Sequence, residues 1–360
     1  MIATVTYHKH DNYGAVLQCY ALQQTILGMG QETEVLNYAC HYVQNPFSIE
    51  AMKKKGFVGY LLGIFGWMSR LPRRKKFASF RKKYLSIGLP VTAKDLSQIE
   101  EKYDLFVVGS DNVWNPEITN FDPTYYLNFI SDSRKKTSYA ASFGLGEIPE
   151  KWRPYCQKWL SSFSRIGMRE KEGAQAVQEL LNREASVVLD PTMLLSGQEW
   201  ADRFKLAQKT PKEKYLLVYQ MVPSARLLEL AEEAAQQLQC KIKCVPFPFG
   251  KIIRCRSCLR MGPVEWLESI YHADFIITDS FHGTVFSILF HKKFAVCISQ
   301  LGNRIRNILE NLGLELVLCN EKDKLDTNPP INYKTVEEKL AFLREKSQEY
   351  LCGLWSDKGD

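Results

Sequence analysis

The sequence contains no apolar run long enough to cross a membrane. Its longest apolar stretch, residues 56–68, has thirteen residues, whereas a spanning helix needs about 20. The first seven residues, Met-Ile-Ala-Thr-Val-Thr-Tyr, have neither a basic leader nor a cleavage site. They are typical of a first β-strand and not of a signal peptide. We therefore expect a cytoplasmic protein.

The motifs of several enzyme classes are missing as well. The chain has no serine-hydrolase elbow, no Walker phosphate loop and no HExxH zinc motif. Its ten cysteines follow no regular framework in 360 residues. This pattern favours reduced thiols over a disulfide scaffold.

Four of those cysteines raise the alternative of a zinc site. Zinc takes four thiolates in many structural sites, and these could come from Cys240 with Cys244 and Cys255 with Cys258. The first pair flanks a predicted strand, however, where Cys is commonly a small buried hydrophobe. We expect no metal and no cofactor, and zinc is the less favoured alternative.

Acidic residues are absent from residues 51–83, which hold eleven Lys or Arg. Removing these eleven charges from the net charge of +7 leaves −4, so the basicity is local and we expect no nucleic-acid partner. One hypothesis is that residues 56–83 lie on an anionic membrane surface. The favoured alternative is a helix packed on the first domain with a solvated basic face.

Short apolar segments alternate with helix-periodic ones along most of the chain. The content of 45% hydrophobic and 24% charged residues is that of a folded protein. We predict strands at 2–7, 33–36, 105–108, 136–140, 165–168, 186–189, 215–218, 241–245, 275–278 and 294–298. We predict helices at 15–29, 152–163, 172–181, 225–239, 264–271 and 283–289. This alternation indicates an α/β protein with mostly parallel sheets covered by helices on both faces.

The length of 360 residues suits two domains. We expect an N-terminal α/β domain over 1–165, with the basic and apolar segment of about 45–90 as an insertion. A second α/β domain is expected over 166–334. The remainder, 335–360, is predicted to form a helix and tail that lean back on the first domain.

The strongest local signal for chemistry is the turn in residues 276–284, Ile-Ile-Thr-Asp-Ser-Phe-His-Gly-Thr. An apolar strand leads there through a polar turn into a helix, whose first amides and dipole attract anions. A phosphate or carboxylate fits such a turn, with His282 binding it or donating a proton. The alternative, weighed equally, is that Ser280 or Thr284 only caps the helix.

The turn after the first strand, residues 8–15, reads His-Lys-His-Asp-Asn-Tyr-Gly-Ala. It is similar to a phosphate or sugar loop, but it lacks the GxGxxG spacing of dinucleotide folds. Taken alone, it is more typical of a capped loop with Asp11 or Asn12 as the N-cap.

Residues 109–116, Gly-Ser-Asp-Asn-Val-Trp-Asn-Pro, follow another apolar strand. Ser110, Asp111 and Asn112 suit the recognition of sugar hydroxyls, and Asp111 could act as a general base. The alternative is an Asx turn with a buried Trp114.

Arg169 and Glu170 follow the predicted strand 165–168. An arginine at the carboxyl end of a strand suits a carboxylate or a phosphate. A lone Arg–Glu pair is more often a surface ion pair, so the interest of this pair depends on its neighbours.

Taken together, these turns resemble the ordered motifs of the polysaccharide pyruvyl transferase family. The resemblance extends from residue 1 to about 315. It rests on six blocks, namely 11–18 with 20–23, 109–115, 138–144, 169–170, 190–192 and 278–284. The family usually has Gln where Asn112 stands. Segments 45–90 and 240–260 match no motif of the family.

The resemblance implies a fold and a reaction. The fold is two Rossmann-like domains similar to the GT-B glycosyltransferase architecture, with the active site in the interdomain cleft. The donor is phosphoenolpyruvate. The acceptor is a lipid- or nucleotide-linked sugar of a surface-polysaccharide precursor, on which two hydroxyls become a pyruvate ketal.

Roles follow from the resemblance and from the chemistry that this reaction needs. His282 is the expected acid, and Asp111 or Glu170 the expected base. The residues expected to bind phosphoenolpyruvate are Arg169, Ser280, Gly283, Thr284 and Arg304. The residues expected to face the acceptor are Asn12, Tyr13, Gly14, Ser110 and Asn112.

Two alternatives remain at this point. The first is a GT-B-type glycosyltransferase with a nucleotide-sugar donor, because a fold does not fix its chemistry. The second is a non-catalytic glycan-binding or assembly protein at the membrane surface. The sequence does not predict the oligomeric state.

Overall fold

The structure is a computed structural model in which the chain forms two compact units. Unit 1 comprises Met1–Leu194 with Leu343–Asp360, and unit 2 comprises Leu195–Phe342. The residues described are 1–38, 40, 56–145, 147–208, 211–222, 224–245, 256–257, 260–297, 303–319 and 325–356, with the backbone alone for 56–69 and 256–257.

Unit 1 is built on a parallel sheet. Within the described residues this sheet has five strands in the order β3-β2-β1-β4-β5. They are β1 Ile2–Val5, β2 Thr33–Tyr38, β3 Ile87–Val91, β4 Leu105–Val108 and β5 Lys136–Ser138. β1 and β4 are buried at every position, as central strands covered on both faces must be.

The helices of unit 1 connect these strands and cover the sheet. They are α1 Tyr13–Gly28, α2 Gly56–Tyr84, α3 Pro116–Thr119, α4 Arg153–Leu160 and α5 Lys171–Leu181. α1 is buried over most of its length, because it packs between the sheet and its neighbours and not at the surface.

Unit 1 contains two further short strands after residue 165. β6 (Gly167–Met168) and β7 (Ser186–Val187) pair in parallel. Parallel bridges from Thr137 to Arg165 and from Ala141 to Met168 tie β6 to the β5 side of the sheet. The domain boundary expected near 165 therefore falls inside unit 1, and the division lies at Leu194.

The last helix, α11 (Tyr333–Ser356), begins in unit 2 and ends in unit 1. Its second half packs on the unit 1 core through Leu351 and Leu354, which cluster with Ile2 and Leu22. The Tyr350 hydroxyl also donates to the Ser138 carbonyl at 3.0 Å. This half is the segment that the sequence predicted to lean back on the first domain.

Unit 2 contains a second parallel sheet. In the described part of the chain its order is β10-β9-β8-β11-β12-β13. The strands are β8 Tyr215–Tyr219, β9 Lys241–Val245, β10 Arg256–Ser257, β11 Phe275–Thr278, β12 Phe294–Cys297 and β13 Leu318–Cys319. The helices are α6 Gly197–Phe204, α7 Ala225–Gln237, α8 Pro263–Tyr271, α9 Phe281–Leu289 and α10 Asn303–Leu312.

The predicted class, α/β with parallel sheets, is confirmed. The sequence did not predict the strands β3, β10 and β13 or the helices α3, α6 and α10. Of the expected insertion over 45–90, residues 45–55 lie outside the described residues, and α2 takes up most of the remainder. None of the helices in the described part of the chain combines the length and hydropathy that a bilayer span requires.

Candidate functional site

Polar segments follow four parallel strands at the carboxyl edge of unit 1 and meet around one arginine. This is expected of parallel sheets, whose strand ends gather ligand-binding turns on one side. The residues that meet there are Ser110, Asp111 and Asn112 after β4, Ser142 after β5, Arg169 and Glu170 after β6, and Asp190 after β7. We call these residues the Arg169 cluster.

The guanidinium of Arg169 is bound on several sides. Its Nε donates to Glu170 Oε1 at 2.9 Å, and its Nη1 donates to Asp190 Oδ2 at 3.2 Å. Its Nη2 donates to Asn112 Oδ1 at 3.0 Å. Asp111 Oδ1 lies 3.8 Å from Nη1, an ion pair without a hydrogen bond. Arg169 is thus the hub that holds three strand ends together.

The charges in this cluster do not balance. One guanidinium faces the carboxylates of Asp111, Glu170 and Asp190, so the formal sum is −2 when all three are ionised. Burial disfavours the charged form of Arg169, but these carboxylates outweigh it and raise the pKa of the guanidinium above its ordinary value. The Arg169 side chain is 2% exposed, whereas that of Asp111 is 18% exposed. The accessible part of the cluster is therefore its acidic side.

Further hydrogen bonds complete the cluster. Ser142 Oγ donates to Glu170 Oε1 at 2.8 Å, and Ser110 Oγ contacts Asp190 Oδ2 at 3.2 Å. Asp190 Oδ1 also accepts from the amide and hydroxyl of Thr192. Each buried carboxylate therefore accepts hydrogen bonds from neutral groups in addition to its ion pair with Arg169.

The turn after β4 has a backbone that few residues tolerate. Gly109 has φ +117°, and a Cβ there would lie 2.2 Å from the Tyr139 carbonyl oxygen, so only glycine fits. Asp111 follows in the left-handed region with φ 73°, and its Oδ1 accepts from the Asn112 amide at 2.9 Å. This conformation turns the Asp111 and Asn112 side chains toward Arg169.

A buried glutamine of α1 braces the same turn. Gln18 Nε2 donates to Thr6 Oγ1 at 2.9 Å, and its Oε1 accepts from the Ser110 amide at 3.1 Å. Thr6 Oγ1 in turn donates to the Ser110 carbonyl, and the Tyr7 hydroxyl donates to the Asn112 carbonyl at 2.7 Å. The ends of β1 and β4 are thereby locked to each other.

The turn after β1 is a capped loop. Asn12 is the N-cap of α1 and accepts from the Ala15 amide at 3.2 Å. Tyr13 and Gly14 are buried, and the Tyr13 ring packs against Phe77 with centroids 5.2 Å apart. Of the three residues expected to face an acceptor here, Asn12 alone is partly exposed.

In unit 2, the turn between β11 and α9 has the predicted strand-to-helix form. Ser280 is the N-cap and its Oγ accepts from the Gly283 amide at 3.3 Å. The Thr284 amide and hydroxyl both donate to the Ser280 carbonyl. The two amides expected to bind an anion are therefore engaged inside the turn. His282 is half-buried at the first turn of α9, with its ring 5.2 Å from that of Phe281.

Close packing also fixes Gly283. A Cβ at this position would lie 2.4 Å from Thr278 Oγ1 and 2.9 Å from the Tyr219 ring. Thr278 Oγ1 donates to the Tyr219 carbonyl at 2.7 Å and accepts from the Ser280 amide at 3.0 Å. Gly283 thus lets α9 start directly on β8 and β11.

Asp279 binds the loop that follows β8. Its two carboxylate oxygens accept from the Met221 amide at 2.6 Å and the Val222 amide at 2.8 Å. Burial raises the pKa of Asp279, while these amide bonds act in the opposite direction. The carboxylate therefore has a structural task in this turn. Arg304, also expected to bind an anion, is half-buried at the start of α10.

The comparison with protein families decides the identity. The model of the polysaccharide pyruvyl transferase family matches residues 12–300. The chain belongs to the polysaccharide pyruvyl transferase family. The segment that matches the pyruvyl transferase family model contains both the Arg169 cluster and the turn at His282. It ends before Arg304.

Solved structures with a similar fold include UDP-GlcNAc 2-epimerases. The enzyme from Neisseria meningitidis, bound to UDP-GlcNAc, has TM-score 0.53 and 10% identity over 98% of this chain and 93% of that chain. The enzyme from Methanocaldococcus jannaschii has TM-score 0.51 and 14% identity over 98% of both chains. At such identities the likeness shows the fold alone, which is the GT-B-like pair of α/β units expected from the sequence. A comparison with curated protein sequences gives no match.

For three residues of this pyruvyl transferase family member, the sequence analysis predicted no role in the site. Asp190 and Gln18 stand in the blocks that carry the resemblance, but neither was given a role. Ser142 stands in a third such block. The available signal was the position of each: Asp190 and Ser142 follow predicted strands, and Gln18 is a polar residue in a helix with otherwise apolar neighbours.

Two of the four cysteines considered as zinc ligands lie within the described residues. Cys255 and Cys258 lie outside the described residues. Cys240 is a free thiol, and Cys244 is disulfide-bonded, which departs from the expectation that all thiols are reduced. Within the described ranges no three His, Cys, Asp or Glu side chains are placed to hold a metal ion.

Proposed function

We propose that this protein transfers the pyruvyl group of phosphoenolpyruvate onto two hydroxyls of a sugar in a surface-polysaccharide precursor. The observation that carries the proposal is the family match over residues 12–300, which includes both polar turns. The product would be a pyruvate ketal, with phosphate released.

The Arg169 cluster is suited to the acceptor. Carboxylate and amide oxygens accept hydrogen bonds from sugar hydroxyls, and Asp111 and Asn112 are its partly exposed members. Asp111 is our first choice for the base because it is the more exposed carboxylate, at 18% against 9% for Glu170. Glu170 is the second choice.

The role of Arg169 changes in this proposal. The sequence reading made it a ligand of the donor, but a net acidic cluster repels a phosphate and a carboxylate. The Arg169 donors already bind Glu170, Asp190 and Asn112. We therefore assign Arg169 as a positioning residue that fixes these oxygens in place. The donor role would require the anion to displace Asn112.

The turn at His282 is suited to the donor. His282 is half-buried at a helix N-terminus, where the helix dipole favours an anion. Protonated His282 would deliver its proton to the methylene carbon of phosphoenolpyruvate. An anion bound at Gly283 and Thr284 would share or replace their bonds to Ser280.

The proposed chemistry balances without a redox step. Protonation of the methylene carbon leaves positive charge on the neighbouring carbon, which a sugar hydroxyl attacks as the base takes its proton. The bond from that carbon to the phosphate oxygen then breaks. A second hydroxyl attacks the same carbon and loses its proton, which closes the ketal.

Binding of phosphoenolpyruvate is the first test. At a hundred times its Kd, a ligand of the native state stabilises by about 2.7 kcal/mol, which raises the midpoint of thermal unfolding by about 2–4 °C. We expect this shift with phosphoenolpyruvate and none with UDP-GlcNAc. A shift with UDP-GlcNAc alone would replace the proposal with glycosyl transfer. The absence of both shifts would favour the non-catalytic glycan-binding alternative.

Turnover is the second test, measured as phosphate release with a panel of nucleotide- and lipid-linked sugars. His282→Gln is expected to keep the thermal shift with phosphoenolpyruvate and to lose phosphate release by about 10²- to 10⁴-fold. His291→Gln is the matched control, because His291 is exposed and pairs with Glu337. Equal rates in the two variants would remove His282 as the acid.

A further inference from the structure

Four exposed lysines form one face of α2. Lys75, Lys76, Lys82 and Lys83 are all exposed, and their spacing of seven residues returns each pair to the same side of the helix. Ala78 and Ser79, which lie between the pairs, are exposed too. The face runs about 12 Å along the helix axis at about 1.5 Å per residue. We call it the lysine face.

The opposite side of α2 is fixed to unit 1. Phe77 and Phe80 are 0% and 3% exposed. Phe77 packs on Tyr13, and Phe80 packs on Tyr20. α2 is therefore amphipathic, and packing decides which side faces outward.

Two arginines of the same helix serve the protein itself. Arg73 Nη2 donates to the Asp11 carbonyl at 2.9 Å, and Arg81 Nη1 donates to Asp11 Oδ1 at 3.0 Å. Arg73 also lies over the Tyr13 ring at 4.8 Å. These arginines therefore lie on the turn after β1, and the lysine face points away from it.

The lysine face has one sign of charge. No acidic residue occurs anywhere in residues 51–83, so all the charged side chains of this segment are positive. By contrast, the lysines of α11 alternate with glutamates such as Glu337 and Glu338. A helix face that is only solvated can carry charges of both signs. A face that binds an anionic surface needs positive charge without nearby carboxylates.

We propose that the lysine face of α2 docks on an anionic lipid bilayer. Long lysine side chains in a flat strip complement a sheet of phosphate headgroups. A nucleic acid fits less well, because the exposed positions of this face carry no aromatic side chain for base stacking. The proposal does not rest on pyruvyl transfer, since docking needs no substrate.

Docking at this face would set the position of the turn after β1. The helix that carries the lysines also holds Asp11 through Arg73 and Arg81. A bilayer bound to the lysine face would therefore lie across α2 from this turn and hold unit 1 at the membrane surface. A lipid-linked acceptor would be found in that membrane.

The test is co-sedimentation of the full-length protein with vesicles. One set contains phosphatidylcholine only, and the other contains phosphatidylcholine with phosphatidylglycerol. We expect binding to the anionic vesicles alone and its loss as the salt rises from about 0.05 M to about 0.5 M, since the Debye length falls well below 10 Å. Equal binding to neutral vesicles, or none to either set, overturns the proposal.

The decisive variant replaces all four lysines: Lys75→Gln, Lys76→Gln, Lys82→Gln and Lys83→Gln. Glutamine keeps the helix propensity, so circular dichroism and the unfolding midpoint should match those of the wild type. Its partition onto anionic vesicles should fall on the order of 100-fold. A variant that binds as the wild type does overturns the proposal.

A matched control removes the same charge elsewhere: Lys94→Gln, Lys158→Gln, Lys212→Gln and Lys346→Gln, all exposed positions outside α2. It should bind as the wild type does. An equal loss in the control would mean that net charge alone drives binding and would contradict a docking face. Tighter binding of a single-stranded oligonucleotide than of the anionic vesicles would also overturn the proposal, in favour of a nucleic-acid partner.

Discussion

Arg169 Nη1 and Asp190 Oδ2 lie 3.2 Å apart, and their side chains are 2% and 0% exposed. The two residues are separated by 21 positions in the sequence and stand after neighbouring strands, β6 and β7. A buried charge is tolerated only when a partner and further hydrogen bonds compensate its loss of water. This pair is therefore the centre on which the other members of the Arg169 cluster depend.

The first prediction concerns the stability of this cluster. Arg169→Ala leaves buried carboxylates without their cation, so the free energy of unfolding should fall by about 3–5 kcal/mol. Arg169→Lys keeps the charge but loses the forked hydrogen bonds, so its loss should be smaller. Denaturant unfolding of purified protein measures both changes.

Arg134→Ala is the control for that comparison. Arg134 Nη2 lies 2.9 Å from Asp132, a shorter distance than in the buried pair, but its side chain is 87% exposed. Exposed pairs contribute little, so its midpoint should stay close to that of the wild type. Similar losses at positions 134 and 169 would contradict the central place given to Arg169.

The second prediction separates the two candidate bases. Asp111→Asn and Glu170→Gln keep the shape of each side chain and its ability to accept hydrogen bonds, but they remove the negative charge. The variant of the true base should lose phosphate release by about 10²- to 10⁴-fold, with only a minor change in the unfolding midpoint for Asp111→Asn. We expect the larger loss of activity at Asp111. Full activity in both variants would exclude both carboxylates.

The third prediction concerns the start of α9. Gly283→Ala places a Cβ 2.4 Å from Thr278 Oγ1, so the strand or the helix must move. We expect a loss of about 1–3 kcal/mol, as for other overpacked sites. Gly28→Ala, with nothing within 4 Å of its Cβ, should be neutral or stabilising. Thermal unfolding of the two variants measures the difference, and equal midpoints would refute the close packing at Gly283.

The fourth prediction is a pH dependence of stability. Burial lowers the pKa of His8 to about 4, although the hydrogen bond to the Thr6 carbonyl acts in the opposite direction. Below its ordinary pKa of 6.5, the unfolded chain binds a proton there that the folded chain does not. The free energy of unfolding should therefore fall as the pH drops from about 6.5 to 4, by up to about 3 kcal/mol from this residue.

His8→Gln tests that assignment. Other groups titrate in the same interval, so the informative quantity is the difference in slope between variant and wild type. The variant should lose less stability on acidification than the wild type does. A slope unchanged by His8→Gln would show that other groups cause the acid sensitivity.

Local patterns in the sequence were enough to predict the fold class. Short runs of apolar and β-branched residues predicted ten of the strands, because a parallel strand buried on both faces must be apolar throughout. The turns at Ser110 and Ser280 were located for a related reason. A polar segment with a glycine directly after a buried parallel strand is expected to form a turn at the carboxyl edge of the sheet.

The partners of the polar residues depended on tertiary structure. Arg169 was expected to meet a substrate anion, yet it binds Asp190 and Asn112, which stand 21 and 57 positions away. The Asp279 carboxylate likewise binds amides 57 and 58 positions away. No local pattern encodes such pairs, because they arise only when parallel strands bring their ends to one edge.

The domain boundary and the outward side of α2 were decided in the same way. The sequence predicted a strand at 165–168, of which the structure has Gly167–Met168, and it determined that α2 is basic and apolar. Only the bridges to β5 placed that strand in unit 1, and only the packing of Phe77 and Phe80 left the lysines outside. Hydrophobic periodicity fixes the type of an element. Which elements pack against it depends on how the whole chain buries its apolar surface.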